Sequence, residues 1–464
     1  MNNGSVGMVG AYNFGIDSNY FLTMGTMMPM ATMNHENSWY TLVESNNIPG
    51  LNTDQVHGSG GMGTAFRNRV RGNDWPRRYY GLNGNADIQA FNRFTNYVSN
   101  IVADPDVATV YQGSARPTGN AAFQIGLNRA MGNSYPTRDL LTFQSLLRWG
   151  NYDAVSNFTH WCGDASSPNW ATACNGVVSA QVVTIPNALS GNLGAICSVQ
   201  FNVNGGGNGA AGWVALTATN TIAPGTAIIV ESPGWNYVAP GPTQALLTGT
   251  GCGNQAITVS STLGTVSEIP TSPLPYMNGN SVPANTNLPP SFYLSTQPSF
   301  WQMKAPLQTP PWPAIGPDVN ASGSLDTTCT ASTVASGPGS PAACDGIGHH
   351  AYQIPAQICF NSRPVDPDYE RTFRIRDGRW IAGGNVIGGM ELTVTNTLRR
   401  GDIVVVKDVI PDTYNGVYQL EAASARTIRY YKFGNPNAGA YVSGGTVTSP
   451  GVREFDAREC YANE

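Results

Sequence analysis

The stretch "GTAFRNRVRG" (residues 63–72) places one asparagine, Asn68, between two short runs that favour β-strands. Asparagine recurs within or beside similar runs at positions 13, 46, 100 and 128, so successive members lie 33, 22, 32 and 28 residues apart. Such intervals are typical of solenoids, in which each repeat forms one coil. An asparagine at the same corner of every coil can hydrogen-bond its neighbours above and below. The repeat predicts stacked coils of parallel strands; the alternative is chance recurrence of an abundant residue.

The same stretch alternates apolar or amide residues with arginines. In a single strand, alternate side chains point to opposite faces, which would bury Phe66 and Val70 and leave the arginines in solvent. Guanidinium groups bind carboxylates and sulfates in two-point fashion, and aromatic rings stack on sugars. An acidic polysaccharide is therefore a predicted ligand; the alternative is that the arginines pair with acidic groups of neighbouring coils. The predicted binding residues are Arg67, Arg69, Arg71, Trp75, Arg77, Arg78 and Tyr79.

The composition of the 464 residues favours an all-β protein of a cell or virion surface. Charged residues make up 11%, against about 25% in ordinary soluble proteins. Glycine (53) and proline (32) are frequent turn residues, while 10% aromatics supply material for a core. The net charge of −5 predicts no nucleic-acid partner, and the lack of a long apolar run predicts no membrane span. The first residues lack the pattern of a secretory signal.

Eight cysteines lie far apart, without the close pairs of a zinc or redox motif. An even number in such a chain indicates disulfides and an extracellular, cell-surface or virion location. The simplest of the possible connectivities joins neighbours along the chain. It pairs Cys162 with Cys174, Cys197 with Cys252, Cys329 with Cys344, and Cys359 with Cys460.

Several early segments, such as "NSWYTLVESNN" (37–47) and "DIQAFNRFTNYVSNIV" (87–102), resemble coils of bacterial right-handed parallel β-helix proteins of the pectate-lyase-like superfold. The segment "NLPPSFYLSTQPSFW" (287–301) resembles closing segments of that family. The stretch "GDIVVVKDVIPDTYNGVYQL" (401–420) resembles modules of phage tail fibres, with Asn415-Gly416 as a hairpin-turn pair. The resemblance implies an all-β, right-handed parallel β-helix with two inserted, sandwich-like β domains. Members of that superfold often use Ca²⁺ held by clustered aspartates, but this sequence has no tight aspartate cluster, so no cofactor is predicted. The implied parts are coils at 1–161, an insert at 162–263, closing segments and loops at 264–365, a tail-fibre-like insert at 366–455, and a final segment at 456–464.

Asp54 and His57 are candidates for acid–base chemistry. They lie three residues apart and would face opposite sides of a strand, so only a turn at the following glycines could unite them. The alternative is a corner histidine bonded to backbone and an aspartate that caps the turn.

Asp153 and Glu268 flank the first insert, together with His160. If the insert protrudes, the two carboxylates could meet as the pair that glycosidases use. The alternative is a salt bridge to Arg148. The adjacent His349 and His350 are a weak metal signal because no third ligand lies near them in sequence.

Three functions remain open at this level. The first is a structural or adhesive surface protein, similar to a fibre or tailspike, that binds polysaccharide or cell-surface glycan. The second is a secreted polysaccharide lyase or glycoside hydrolase, which rests on the superfold alone. The third is a self-assembling filament subunit, in which a second copy or another chain caps the first coil.

Overall fold

The structure is a computed structural model. It describes residues 5–16, 31–33, 37–72, 84–104, 108, 110–113, 121–127, 139–153, 158–167, 170, 174–201, 207–270, 288–317, 351–363, 370–381, 387–400, 402–433, 440–450 and 457–463. Strands dominate, which confirms the all-β class. No helix in these ranges has the length and apolar character needed to cross a bilayer.

The first 160 residues build three sheets of short strands, and the chain visits the sheets in turn. Neighbouring strands pair in parallel, except for the antiparallel pair that ends the second sheet. The first sheet contains β1 (Val9–Ala11), β3 (Leu42–Glu44), β6 (Thr64–Phe66), β9 (Asn96–Val98) and β13 (Leu147–Trp149). The second contains β4 (Asn47–Ile48), β7 (Arg69–Val70), β10 (Ile101–Val102), β14 (Asn151–Asp153) and β15 (Phe158–His160). The third contains β2 (Ala31–Met33), β5 (Leu51–Thr53), β8 (Gly84–Ile88), β12 (Ala121–Ile125) and β11 (Val110–Gly113).

An asparagine ladder runs along the corner between the first two sheets. Each Oδ1 accepts hydrogen bonds from the backbone N and the Nδ2 of the preceding asparagine, at 2.8 to 3.0 Å. The predicted members Asn13, Asn46, Asn68 and Asn100 are confirmed, and the fifth member is Asn151. Asn128, the predicted fifth member, lies outside the described residues.

The prediction of a solvent-facing arginine stripe is wrong. Arg67, Arg69 and Arg71 are 1%, 0% and 9% exposed, respectively. The residue before each ladder asparagine turns the chain in the left-handed region; Arg67, for example, has φ 53°. The stretch is therefore two strands in two sheets, β6 and β7, and the alternation of one strand does not continue across the corner.

The buried arginines donate to backbone carbonyls. The guanidinium of Arg67 donates to Leu288 O, Pro289 O and Ile315 O at 3.0 to 3.1 Å. The Nη1 of Arg69 donates to Ala103 O at 2.8 Å. The Nη2 of Arg71 donates to Gly15 O. These contacts satisfy carbonyls of neighbouring segments, so the three arginines are part of the scaffold and offer little surface to a glycan.

The segment 288–317 and helix α2 (Pro355–Ser362) pack against the second sheet. Trp301 lies in a 3₁₀ helix (Ser299–Trp301), is fully buried, and shares a cluster with Ile101 and Ile315. A separate short helix, α1 (Leu140–Gln144), precedes β13. The stack itself is filled by apolar residues of all three sheets, including Val43, Val70, Ala86, Tyr97 and Phe123.

The first insert is a closed six-stranded barrel, where the sequence predicted a sandwich-like domain. The first strand of the insert, β16, pairs with both β19 and the last strand, β21, so the sheet closes on itself and has no unpaired edge strand, unlike a sandwich. Around the barrel the order is β16 (Asn175–Thr184), β19 (Ala227–Trp235), β18 (Asn208–Ala215), β17 (Ile196–Phe201), β20 (Gln244–Thr248) and β21 (Gln255–Thr265).

The second insert is a seven-stranded sheet. The predicted two-residue turn at Asn415-Gly416 is not formed: β24 and β25 do pair, but Gly416 is the first residue of β25 and the connection contains a 3₁₀ helix (Asp412–Tyr414). The side chain of Asn415 accepts from Val409 N and donates to Val409 O. The order is β25 (Gly416–Gln419), β24 (Ile403–Ile410), β28 (Ser443–Pro450), β22 (Glu370–Ile381), β23 (Ile387–Val394), β27 (Thr427–Phe433) and β26 (Ala422–Ala423). Helix α3 (Ala457–Cys460) follows.

Three predicted disulfides are confirmed: Cys162–Cys174, Cys197–Cys252 and Cys359–Cys460. The last joins α2 to α3 and so closes the base of the seven-stranded sheet's insertion. The remaining predicted pair, Cys329–Cys344, lies outside the described residues.

Candidate functional site

Asp54 and His57 form a local pair in the turn after β5. The His57 Nδ1 lies 2.6 Å from Asp54 Oδ2, and the other carboxylate oxygen accepts from Val56 N at 2.8 Å. The turn therefore unites the two side chains, and Asp54 caps it as the structural alternative predicted. The imidazole is 58% exposed whereas the carboxylate is 9% exposed, so the pair lies at the surface.

Asp153 and His160, both of the second sheet, meet Glu268 in a buried cluster beside the barrel. The Nε2 of His160 contacts Asp153 Oδ2, and its Nδ1 lies 3.0 Å from Glu268 Oε2. The Nε of Arg148 lies 3.1 Å from Glu268 Oε1, and the Tyr111 hydroxyl donates to the same oxygen. The predicted approach of Glu268 to Asp153 is therefore real, with His160 lying between the two carboxylates. The salt bridge to Arg148, the structural alternative, is also present.

Aromatic rings close this cluster. The His160 ring stacks on Tyr111 with centroids 4.1 Å apart, and Trp235 of β19 meets it edge-on at 4.4 Å. The side chains of Asp153, His160 and Glu268 are 0% exposed. A sugar cannot contact either carboxylate in this conformation, so the cluster fits a structural role better than glycosidic cleavage.

Neighbouring charges and burial shift the pKa of His160 in opposite directions, and the same is true of the pKa of Glu268. Burial lowers the pKa of His160, but Glu268 and Asp153 outweigh burial and raise that pKa above its usual value. Burial raises the pKa of Glu268, but Arg148 and then His160 hold it below its usual value. Both shifts favour the charged forms of these two groups.

The same cluster does not supply the thiolate of a metal site. His160, Cys162 and Glu268 place ligand atoms within 4.8 Å of one another. The Cys162 sulfur, however, is bonded to Cys174 and cannot serve as a thiolate ligand. His349 and His350 lie outside the described residues.

A surface groove of about 500 Å³ lies on the first sheet. Its floor crosses four strands, because Leu42, Thr64, Asn96 and Leu147 are neighbours in register. The Nδ2 of Asn96 donates to Thr64 Oγ1 at 3.1 Å, which orients the amide along the floor. The lining consists of Tyr40, Thr41, Leu42, Met62, Thr64, Asn96, Val98, Leu147 and Phe292, all uncharged.

Two exposed aromatic rings flank the groove. Tyr40 is 59% and Phe292 is 50% exposed. Phe292 is fixed in place: its ring stacks on Phe66 at 4.0 Å and its backbone N donates to the buried Glu44 carboxylate at 2.8 Å. The groove therefore combines rigid apolar surfaces with the hydroxyl and amide groups of its floor, the mixture that polar ligands with apolar faces need.

Sequence reasoning missed this groove, although a signal was present. Tyr40, Met62 and Phe94 each stand two residues before a strand of the first sheet, and all three have φ between 54° and 57°. A large residue recurring at that position marks the turn that precedes these three strands. Of the predicted glycan-binding residues, Trp75, Arg77, Arg78 and Tyr79 lie outside the described residues.

Comparisons with protein-family models, curated proteins and solved structures find no match to this chain.

Proposed function

We propose that the first 160 residues form a right-handed parallel β-helix and that the protein is a structural or adhesive component of a cell or virion surface. The cyclic order of the strands through three sheets and the asparagine ladder support the β-helix. The three disulfides are consistent with an extracellular location. The two β-rich inserts would be carried on this scaffold, as the resemblance to tail-fibre modules implies.

We further propose that the protein binds polysaccharide along the groove of the first sheet. The observation that carries this proposal is the pair of exposed rings, Tyr40 and Phe292, beside a floor with threonine and asparagine groups. Aromatic rings pack against sugar faces, while hydroxyl and amide groups bond to sugar hydroxyls. Strands in a sheet recur about every 4.8 Å. A chain of sugars lying across the strands would therefore meet one coil after another.

The experiment compares binding of the intact protein and of variants to a panel of polysaccharides by affinity electrophoresis. We expect Tyr40→Ala to weaken binding about tenfold, the loss of one good aromatic contact. Tyr293→Ala is the matched control, because Tyr293 is 59% exposed beside Phe292 but does not line the groove. Equal affinities of the native protein and the Tyr40→Ala variant would refute the proposal, as would a failure of the native protein to bind any polysaccharide.

The same incubation detects the enzymatic alternative, since a lyase or hydrolase releases new unsaturated or reducing ends. Self-assembly, the third candidate, has one supporting observation. Among the described strands β1 ends the first sheet; Val9 of that strand is 38% exposed and Val6, just before it, is 71% exposed. Native mass measurement over a range of protein concentrations tests it.

A further inference from the structure

The buried cluster around His160 lies where the barrel joins the stacked strands. His160 is the last residue of β15, which precedes the barrel in the chain. Glu268 follows β21, the last strand of the barrel. The backbone also closes at this point: Glu268 N donates to Cys162 O at 2.7 Å and Arg148 N donates to Glu268 O at 2.9 Å. The entry and exit of the barrel are therefore held to each other and to β13 in one place.

Both nitrogens of the His160 ring face carboxylate oxygens, Asp153 on one side and Glu268 on the other. A neutral imidazole donates from one nitrogen and accepts at the other, whereas the imidazolium donates from both. Two carboxylates are therefore satisfied together only when this site holds an extra proton. In that state the charges of His160 and Arg148 balance those of Asp153 and Glu268.

Removing the proton changes this balance. A ring nitrogen with a lone pair then faces a carboxylate oxygen, and two carboxylates remain with one guanidinium in a site from which water is excluded. An uncompensated buried charge is strongly unfavourable. The charged and titratable groups that face His160 among the described residues are Asp153 of β14, Glu268, Arg148 of β13 and Tyr111 of β11. Burial raises the pKa of Tyr111 well above its usual value, so its hydroxyl stays neutral and cannot replace the lost positive charge.

We propose that this cluster is a pH-dependent clasp, which fixes the barrel to the stacked strands while His160 is protonated and releases the barrel when that proton is lost. The ring of Trp235 couples the protonation of His160 to the attachment of the barrel, because Trp235 belongs to barrel strand β19 and packs edge-on against His160. The inferred effect is a change in how the barrel is attached, with the barrel and the ladder each intact. It is independent of any glycan bound in the groove.

Hydrogen exchange of the intact protein tests the clasp, with protection factors corrected for the intrinsic effect of pH. The reporting amides are those of Arg148, Gly150 and Glu268, which bond to Glu268 O, His160 O and Cys162 O, respectively. We expect their protection to fall at least about tenfold as pH rises from 6 to 9, with a midpoint above the ordinary histidine pKa of about 6.5. The amides of Asn68 and Asn100 in the ladder should keep their protection.

Two variants assign the transition. Glu268→Gln removes one of the facing carboxylates and should move the midpoint to lower pH, while His160→Gln should abolish the transition and leave protection low throughout. His57→Gln is the matched control, since it alters the exposed His57–Asp54 pair. Unchanged protection of the native protein between pH 6 and 9 would overturn the proposal. A transition that keeps its midpoint in Glu268→Gln would overturn it too, and that test stands even if His160→Gln does not fold.

Discussion

Replacing Asn68 by alanine tests whether the ladder holds the stack together. Asn68 is fully buried, and its Oδ1 accepts from the N and Nδ2 of Asn46 at 3.0 and 2.9 Å. Its Nδ2 donates to Val43 O at 2.7 Å and to Asn100 Oδ1 at 3.0 Å. The substitution therefore removes four hydrogen bonds at once and leaves the buried backbone N of Asn46 without its acceptor.

The expected cost follows from those contacts. A typical hydrogen bond contributes about 1 kcal/mol net, and a buried group left unsatisfied costs about 1 to 3 kcal/mol. We expect Asn68→Ala to lower the free energy of opening of the stack by about 3 to 5 kcal/mol. Asn13→Ala is the matched control at the end of the ladder. The side chain of Asn13 is exposed and makes two hydrogen bonds, to Ala11 O and Asn46 Oδ1, so its loss should cost about 1 kcal/mol or less.

The measurement must be local, because a chain with several units does not unfold in one step. Hydrogen exchange of the strands β3, β6 and β9 at increasing urea concentrations gives the free energy of opening of the stack. The barrel strands serve as an internal standard that should not change. Equal effects of Asn68→Ala and Asn13→Ala would refute the reasoning, since the difference in burial and in accepted hydrogen bonds is its basis.

Three further outcomes are expected. Because the pKa of Glu268 is lowered, its ionised form stabilises the folded state above pH about 4.5, and this stability is lost as pH falls through the lowered pKa. The unfolding temperature of Glu268→Gln should therefore decrease less at acidic pH than that of the native protein. Replacing Cys197 and Cys252 by serine opens a loop with a sequence separation of 55, which should destabilise the barrel by about 4 kcal/mol in denaturant unfolding, and an effect below about 1 kcal/mol would contradict it. Arg67→Met leaves three carbonyls without their donor, so limited proteolysis should cut the segment 288–317 faster than in the native protein, and an unchanged rate would contradict the role of Arg67.

The ladder and the disulfides could be predicted because each depends on a residue type with few alternative roles. An asparagine that recurs at coil intervals has a specific use at a corner, and four of the five predicted members are in place. Widely spaced cysteines paired with their neighbours along the chain in all three described cases. These predictions did not require the backbone path to be known in detail.

The burial of the arginines could not be predicted because it depends on one backbone angle and on a distant segment, 288–317, that covers them. Arg67 adopts a left-handed conformation that non-glycine residues seldom use, and arginine as a residue type does not predict this conformation. Once the chain turns there, Arg69 begins a different sheet and lies on the face opposite Val70. The segment 288–317 covers that face, where Ile101, the register partner of Arg69, packs with Trp301 and Ile315. The barrel was missed for a related reason: short alternating strands occur in sandwiches and barrels alike, and closure depends on which distant strands pair, as β16 does with β19 and β21.

The ladder has a direction. At every step the carbonyl oxygen of one amide receives the donors of the amide before it, from Asn13 through to Asn151, so the side-chain dipoles all align along the axis of the stack. The two ends therefore differ: Asn13 is exposed, whereas Asn151 is fully buried and its Nδ2 donates to Tyr97 O at 2.7 Å. A symmetric, face-to-face dimer at the Asn13 end would bring two amide acceptors together and could not extend the ladder.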